Sequence, residues 1–190
     1  MSQRSATAKN SSRATTASGA SDSVTTSGSL TGSKPKPGKP RGARTSSHMK
    51  ANPLTIYTVG YEGRDVADLI ALLSTHRVET LVDVRLTPIS RKAGFSKTAL
   101  SSALADAGIT YLHERGLGNP KENRPAYRAG EKTARRRYLA HLLQNGGDAV
   151  ARLSDIVATS ATALLCVERE SSICHRSAVA DQLGVAVVSL

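Results

Sequence analysis

From Leu54 onward, the apolar positions of this 190-residue chain switch back and forth between two periods. The β-branched run Leu54-Thr55-Ile56-Tyr57-Thr58-Val59 reads as a buried strand ending at Gly60. Val66, Leu69, Ile70 and Leu73 then recur at i, i+3, i+4 and i+7, one face of a helix, with Asp65 placed as its N-cap. Thr80 to Val84 predicts a second strand. Leu100, Ala103, Leu104 and Ala107 mark another helix, closed by Gly108 and followed by a strand from Ile109 to Leu112. A polar, basic stretch runs from His113 to Lys132. Two helical segments follow, near 133–144 and 148–158, separated by Gly146-Gly147. Thr162 to Val167 is a strong strand, Ser177 to Leu183 a helix and Val185 to Val188 a last strand. Five strands alternating with helices predict an α/β fold, a three-layer sandwich around a mostly parallel five-stranded sheet. There is no internal repeat.

Before Leu54 the pattern disappears. Residues 1–50 hold nine basic residues, one acid (Asp22), 19 Ser/Thr and no Phe, Tyr or Trp. Such a segment cannot bury enough apolar surface to offset its ordering entropy, so a disordered basic tail is expected there, with one α/β domain over 51–190. The charge divides the same way. Of the net +11, the tail accounts for +8, whereas residues 51–190 carry 17 basic and 14 acidic residues, or +3. The high pI is therefore mostly a property of the tail, which alone gives a route to non-specific nucleic-acid binding. No apolar run approaches the roughly 18 residues of a membrane span, and the N-terminus lacks the apolar block of a secretory signal. A cytoplasmic protein with two reduced thiols, Cys166 and Cys174, is expected.

In parallel sheets, ligands bind outside the carboxyl ends of the strands. Gly60-Tyr61-Glu62-Gly63-Arg64 follows the first predicted strand; Asp83, Arg85, Pro88, Ser90 and Arg91 lie at the end of the second. His113-Glu114-Arg115-Gly116-Leu117-Gly118-Asn119-Pro120 follows the third, and Cys166, Glu168, Arg169 and Cys174-His175-Arg176 the fourth. Ionisable residues at four successive strand ends point to one shared site. The motifs Thr58-Val59-Gly60-Tyr61-Glu62-Gly63, Asp83-Val84-Arg85 with Pro88 and Ser90, Leu117-Gly118, and Leu165-Cys166-Val167-Glu168 followed by Cys174-His175-Arg176 resemble the domain-of-unknown-function 488 family. The resemblance spans about residues 54–190. It implies a compact α/β domain of bacterial and archaeal cytoplasm and brings no activity with it.

Each constellation carries two readings. Cys174-His175-Arg176, at a helix start, is a reactive thiolate or an anion-binding corner; otherwise Cys174 packs under the helix while Arg176 pairs with Glu168 or Asp83. Cys166, inside an apolar run, reads as a core thiol. A zinc site from Cys166, Cys174, His175 and His113 is imaginable, yet Cys-x7-Cys-His is not the spacing of a zinc knuckle or ribbon, so no metal is expected. Asp83 and Glu168 form either an acid–base pair or part of an ion-pair network. Gly60 to Gly63 lacks the spacing of a dinucleotide or Walker loop, and no cofactor is expected. Between Lys121 and Arg137, seven basic residues with Tyr127 interleaved read as a basic lid or a solvated face.

The leading expectation is an anion-binding pocket at the strand ends for a phosphate-bearing ligand, a nucleotide or nucleic-acid element. Gly60, Tyr61, Arg85, Arg91, His113, Arg115, Tyr127, His175 and Arg176 are the candidate ligand-binding residues, Tyr61 and Tyr127 for stacking. The alternative is a hydrolase or transferase using Cys174 or the Asp83/Glu168 carboxylates. The second alternative is tail-driven binding of nucleic acid.

Overall fold

The computed structural model describes residues 54–190, and the expected disordered tail lies outside the described residues. Strands β1 (Thr55–Gly60), β2 (Thr80–Asp83), β3 (Thr110–His113), β4 (Thr162–Cys166) and β5 (Ala186–Ser189) form one sheet in the order β3-β2-β4-β1-β5. Every pairing is parallel. β4, between β1 and β2, is buried at every residue.

The helices are α1 (Val66–Thr75), α2 (Lys97–Asp106), α3 (Arg124–Arg128), α4 (Lys132–Asn145), α5 (Gly147–Thr159) and α6 (His175–Asp181). Alternation along β4 assigns the two faces. Ala163 and Leu165 pack with Leu69 and Leu73 of α1 and Leu100 and Leu104 of α2. Leu164 and Cys166 pack with Tyr138 and Leu142 of α4, Leu153 of α5 and Val179 of α6. The result is the expected three-layer sandwich, with α1 and α2 on one face and α4 to α6 on the other. Such burial on both faces explains why β4 reads as a continuous apolar run.

Local chemistry fixes the boundaries. Asp65 caps α1 in a capping box with Asp68, and Gly108, at φ 74°, turns the chain out of α2. The stretch from His113 to Lys132 is ordered rather than a free lid. It forms 3-10 turns at Arg115–Leu117 and Lys121–Asn123 and then α3. Tyr127 anchors this segment, 5% exposed and edge-on to Tyr138. The last predicted helix begins earlier than its apolar period, because α6 opens at His175 with Cys174 as N-cap. Among the described residues, no helix is long and apolar enough to cross a membrane.

Candidate functional site at the carboxyl ends of β2 and β4

The strand ends carry two separate polar clusters, one on each face of the sheet. On the α1/α2 face, Asp83 is fully buried and accepts from Arg85 Nε at 2.8 Å, from the Arg85 backbone N–H at 3.0 Å and from Tyr111 Oη at 2.6 Å. The Arg85 guanidinium also donates to the Phe95 carbonyl (2.9 Å) and to Tyr61 Oη (3.3 Å). Tyr61 is buried and stacked on Phe95 at 4.3 Å between ring centroids. Burial opposes charge on Arg85, but its bonds to Asp83 outweigh that and raise its pKa. Burial and the bond to Asp83 likewise push the Tyr111 phenol up. Every polar group in this cluster has a protein partner.

On the other face, Cys166 at the end of β4 and Glu168 two residues on meet Cys174 and His175 at the start of α6. Cys166 Sγ lies 3.1 Å from Glu168 Oε2, and His175 Nδ1 lies 3.8 Å from Cys174 Sγ and 4.0 Å from Cys166 Sγ. His175 Nε2 is 3.0 Å from the Val84 carbonyl, which assigns the proton to Nε2 and aims Nδ1 at the sulfurs. Arg176, 1% exposed, donates Nε to Cys174 Sγ (3.3 Å) and Nη2 to the Glu168 carbonyl (2.6 Å). Arg128 of α3 donates to Glu168 Oε1 at 2.7 Å. Burial alone would raise the Cys174 pKa; bonds to Cys166 and His175 and the charges of His175 and Arg176 instead hold it well below the usual thiol range. Contact with Cys174, then burial, pushes Cys166 up, and the Cys174 sulfur outweighs burial to raise His175. Burial opposes ionisation of Glu168, but hydrogen bonds from its own backbone, Cys166 and Arg128 hold its pKa at about 2.

This second cluster floors a cavity of about 100 Å³. Thr87, Asn119, Arg124, Tyr127 and Arg128 form its walls and mouth. Arg124 donates Nε to the Asn119 carbonyl at 3.0 Å and takes part in no ion pair among the described residues. Gly60 permits the close approach of β1 to this floor, since a Cβ there would sit 1.9 Å from the Glu168 carbonyl oxygen. One family model matches residues 65–183.

The chain belongs to the family described as Domain of unknown function DUF488. No curated protein and no solved structure matches it. The DUF488 match takes in both clusters apart from Gly60 and Tyr61, which precede it. Within this DUF488 domain the sequence-predicted residues divide. The structure brings Cys174, His175, Glu168 and Tyr127 to one cavity. Arg85 also borders it, with its guanidinium committed to Asp83 on the opposite face. Asp83 does not line the cavity that Glu168 lines, and each carboxylate is paired with an arginine, Arg85 and Arg128 respectively. His113 Nε2 bonds the Arg85 carbonyl at 2.8 Å, and Arg91 and Arg115 are exposed outside the cavity. Tyr127 is buried edge-on to Tyr138 and Tyr61 is stacked on Phe95.

Sequence reading missed Arg124, Arg128 and Thr87 as individuals, whereas Asn119 stands among the residues after the third predicted strand. The basic run from Lys121 was visible, but only the α3 helix, held by Tyr127, turns two of its arginines toward the strand ends. Cys166, expected in the core, is both a core residue and part of the cavity floor. The floor offers sulfur, imidazole and carboxylate groups that could hold a metal ion, whereas the mouth offers cationic donors for an anion.

Proposed function

We propose that this domain binds a small oxyanion, or the terminal phosphate of a larger ligand such as a nucleotide or nucleic-acid end, in the strand-end cavity. The observation that carries this reading is the charge at the mouth. Asp83 is paired with Arg85 and Glu168 with Arg128, which leaves Arg124 as uncompensated positive charge beside the cavity. A guanidinium presents a planar fork of donors suited to phosphate oxygens. Thr87, which is exposed, and Asn119, which is buried, add polar groups to the lining.

Size limits the ligand. A cavity of about 100 Å³ is well below the roughly 300–1,000 Å³ of sites that enclose drug-sized molecules. It has room for the anionic group alone, so the remainder of a nucleotide would lie outside, over α3. The enzyme reading occupies the same place, because the Cys166, Glu168, Cys174 and His175 side chains sit directly beneath the anion. Binding driven by the tail makes no use of this cavity.

Isothermal titration of the full chain with orthophosphate, a nucleoside monophosphate and the matching nucleoside tests the proposal. The phosphate-bearing ligands should bind and the nucleoside should not. Arg124→Ala should weaken binding roughly 10- to 100-fold, the loss of a charged hydrogen bond of about 1.5–3 kcal/mol. No heat with any phosphate ligand, or equal binding by the variant, would refute it.

A further inference from the structure

We propose that the floor of the cavity is a metal centre, in which Cys166 Sγ, Cys174 Sγ and His175 Nδ1 bind a divalent transition-metal ion of the zinc class. Glu168 Oε2 lies beside these donors, 3.1 Å from Cys166 Sγ. The three donor atoms lie within 4.8 Å of one another and all three residues are buried. A tetrahedral ion with bonds of about 2.3 Å to sulfur and about 2.0 Å to nitrogen sets S···N near 3.6 Å and S···S near 3.8 Å. The observed S···N separations of 3.8 and 4.0 Å exceed this by only a few tenths of an ångström. The two sulfurs lie within 4.8 Å of each other.

The surroundings are those of a ligand set. A metal-binding histidine donates its other ring nitrogen to a carbonyl or carboxylate, which fixes the lone pair on the ligating atom. His175 does this through Nε2 and the Val84 carbonyl at 3.0 Å. Two thiolates and a carboxylate bring three negative charges to a dication, an excess of one, and two arginines meet it. Arg176 donates to Cys174 Sγ at 3.3 Å, and Arg128 to Glu168 Oε1, while Cys166 meets the other oxygen, Oε2. Apolar packing alone would not require two sulfurs and an imidazole nitrogen to converge. The two cysteines are free, so no disulfide accounts for their proximity.

Soft sulfur with imidazole selects zinc-like ions over magnesium or calcium. The Cys-x7-Cys-His spacing gave no zinc signal because the ligands do not come from a knuckle. Cys166 ends a strand and the other two open a helix beside it. His113, a conceivable fourth ligand from sequence, is instead held by the Arg85 carbonyl. With three protein ligands and the fourth position on the cavity side, the ion would sit against the anion assigned above. That last placement rests on the proposed function; metal binding itself does not.

The test is metal analysis of the untagged full chain purified without chelator, followed by stripping and titration with Co2+. The expected result is stoichiometric zinc in the purified protein and, with cobalt, tetrahedral d–d absorption together with thiolate-to-cobalt charge transfer. Cys174→Ser and Cys166→Ser should lose the charge-transfer intensity, and His113→Ala should keep it. Circular dichroism separates loss of ligand from loss of fold, and a folded Cys174→Ser variant with unchanged cobalt spectrum would overturn the proposal. So would a stripped protein that takes up no cobalt, or an octahedral spectrum without sulfur bands. Orthophosphate titration of the stripped chain keeps the two readings apart: phosphate uptake without any metal uptake sinks the metal centre alone, and metal uptake without phosphate sinks the anion site alone.

Discussion

Replacing Asp83 by Asn tests whether the cluster on the α1/α2 face is structural. The carboxylate is fully buried and meets Arg85, whose side chain is 4% exposed, through several hydrogen bonds, while Tyr111 adds another. An amide keeps the shape but leaves the guanidinium buried without its counter-charge. Breaking a buried pair from one side costs about 3–5 kcal/mol. At roughly 2–4 °C per kcal/mol for a domain near this size, the melting temperature should fall by about 6–20 °C. Urea and thermal unfolding of the full chain followed by circular dichroism give both numbers. The double variant Asp83→Leu with Arg85→Met, which removes both charges, should recover most of the loss, because apolar residues of similar volume often replace a buried pair at little cost. Orthophosphate binding by the folded fraction of Asp83→Asn should be retained. A single-variant loss below about 1 kcal/mol, or loss of phosphate binding with stability intact, would refute the structural assignment.

Two further outcomes follow from the packing. Gly60→Ala would place a methyl against backbone atoms of Glu168 and Arg169, which cannot swing aside, so unfolding should be easier by about 1–3 kcal/mol or more and phosphate affinity should drop as the cavity floor shifts. Alkaline difference absorbance should show Tyr111, Tyr127 and Tyr138 ionising later than ordinary tyrosines, since burial raises all three and the bond to Asp83 raises Tyr111 further. Because these folded-state values lie above the unfolded value of about 10, the stability they contribute is full below that pH and is lost as pH climbs through the raised values. Simultaneous titration of all five tyrosines near pH 10, before unfolding, would contradict that burial.

The fold was legible because its signals are local. The period of Val66, Leu69, Ile70 and Leu73, the Asp65 cap and the β-branched run at Thr162 to Val167 each report their own element, and alternation of strands with helices gives a parallel sheet. The site was legible only as a list of strand-end residues. Sequence order places Asp83, Arg85, Glu168 and Cys174 at one edge, yet the side-chain alternation that sorts them onto opposite faces depends on strand register, and a shift of one residue would exchange the faces. α3 was hidden for another reason. Five residues are too few to show a period, and this helix is held by Tyr127 burying its ring against α4 rather than by its own propensity. The contact between Cys174 and His175 was also unreadable, because adjacent side chains diverge on a helix and Cys174 faces inward only as the extended N-cap residue.

The central claim, that the cavity receives an anion through Arg124, is tested most directly by following arginine Nε–Hε resonances of the full chain during an orthophosphate titration. The Arg124 signal should shift and saturate, with Arg128 shifting beside it, whereas Arg91 and Arg115 should stay near their starting positions. Shifts spread evenly over the exposed arginines, growing without saturation, would show screening by a surface ion and contradict a built anion site at the ends of β2 and β4.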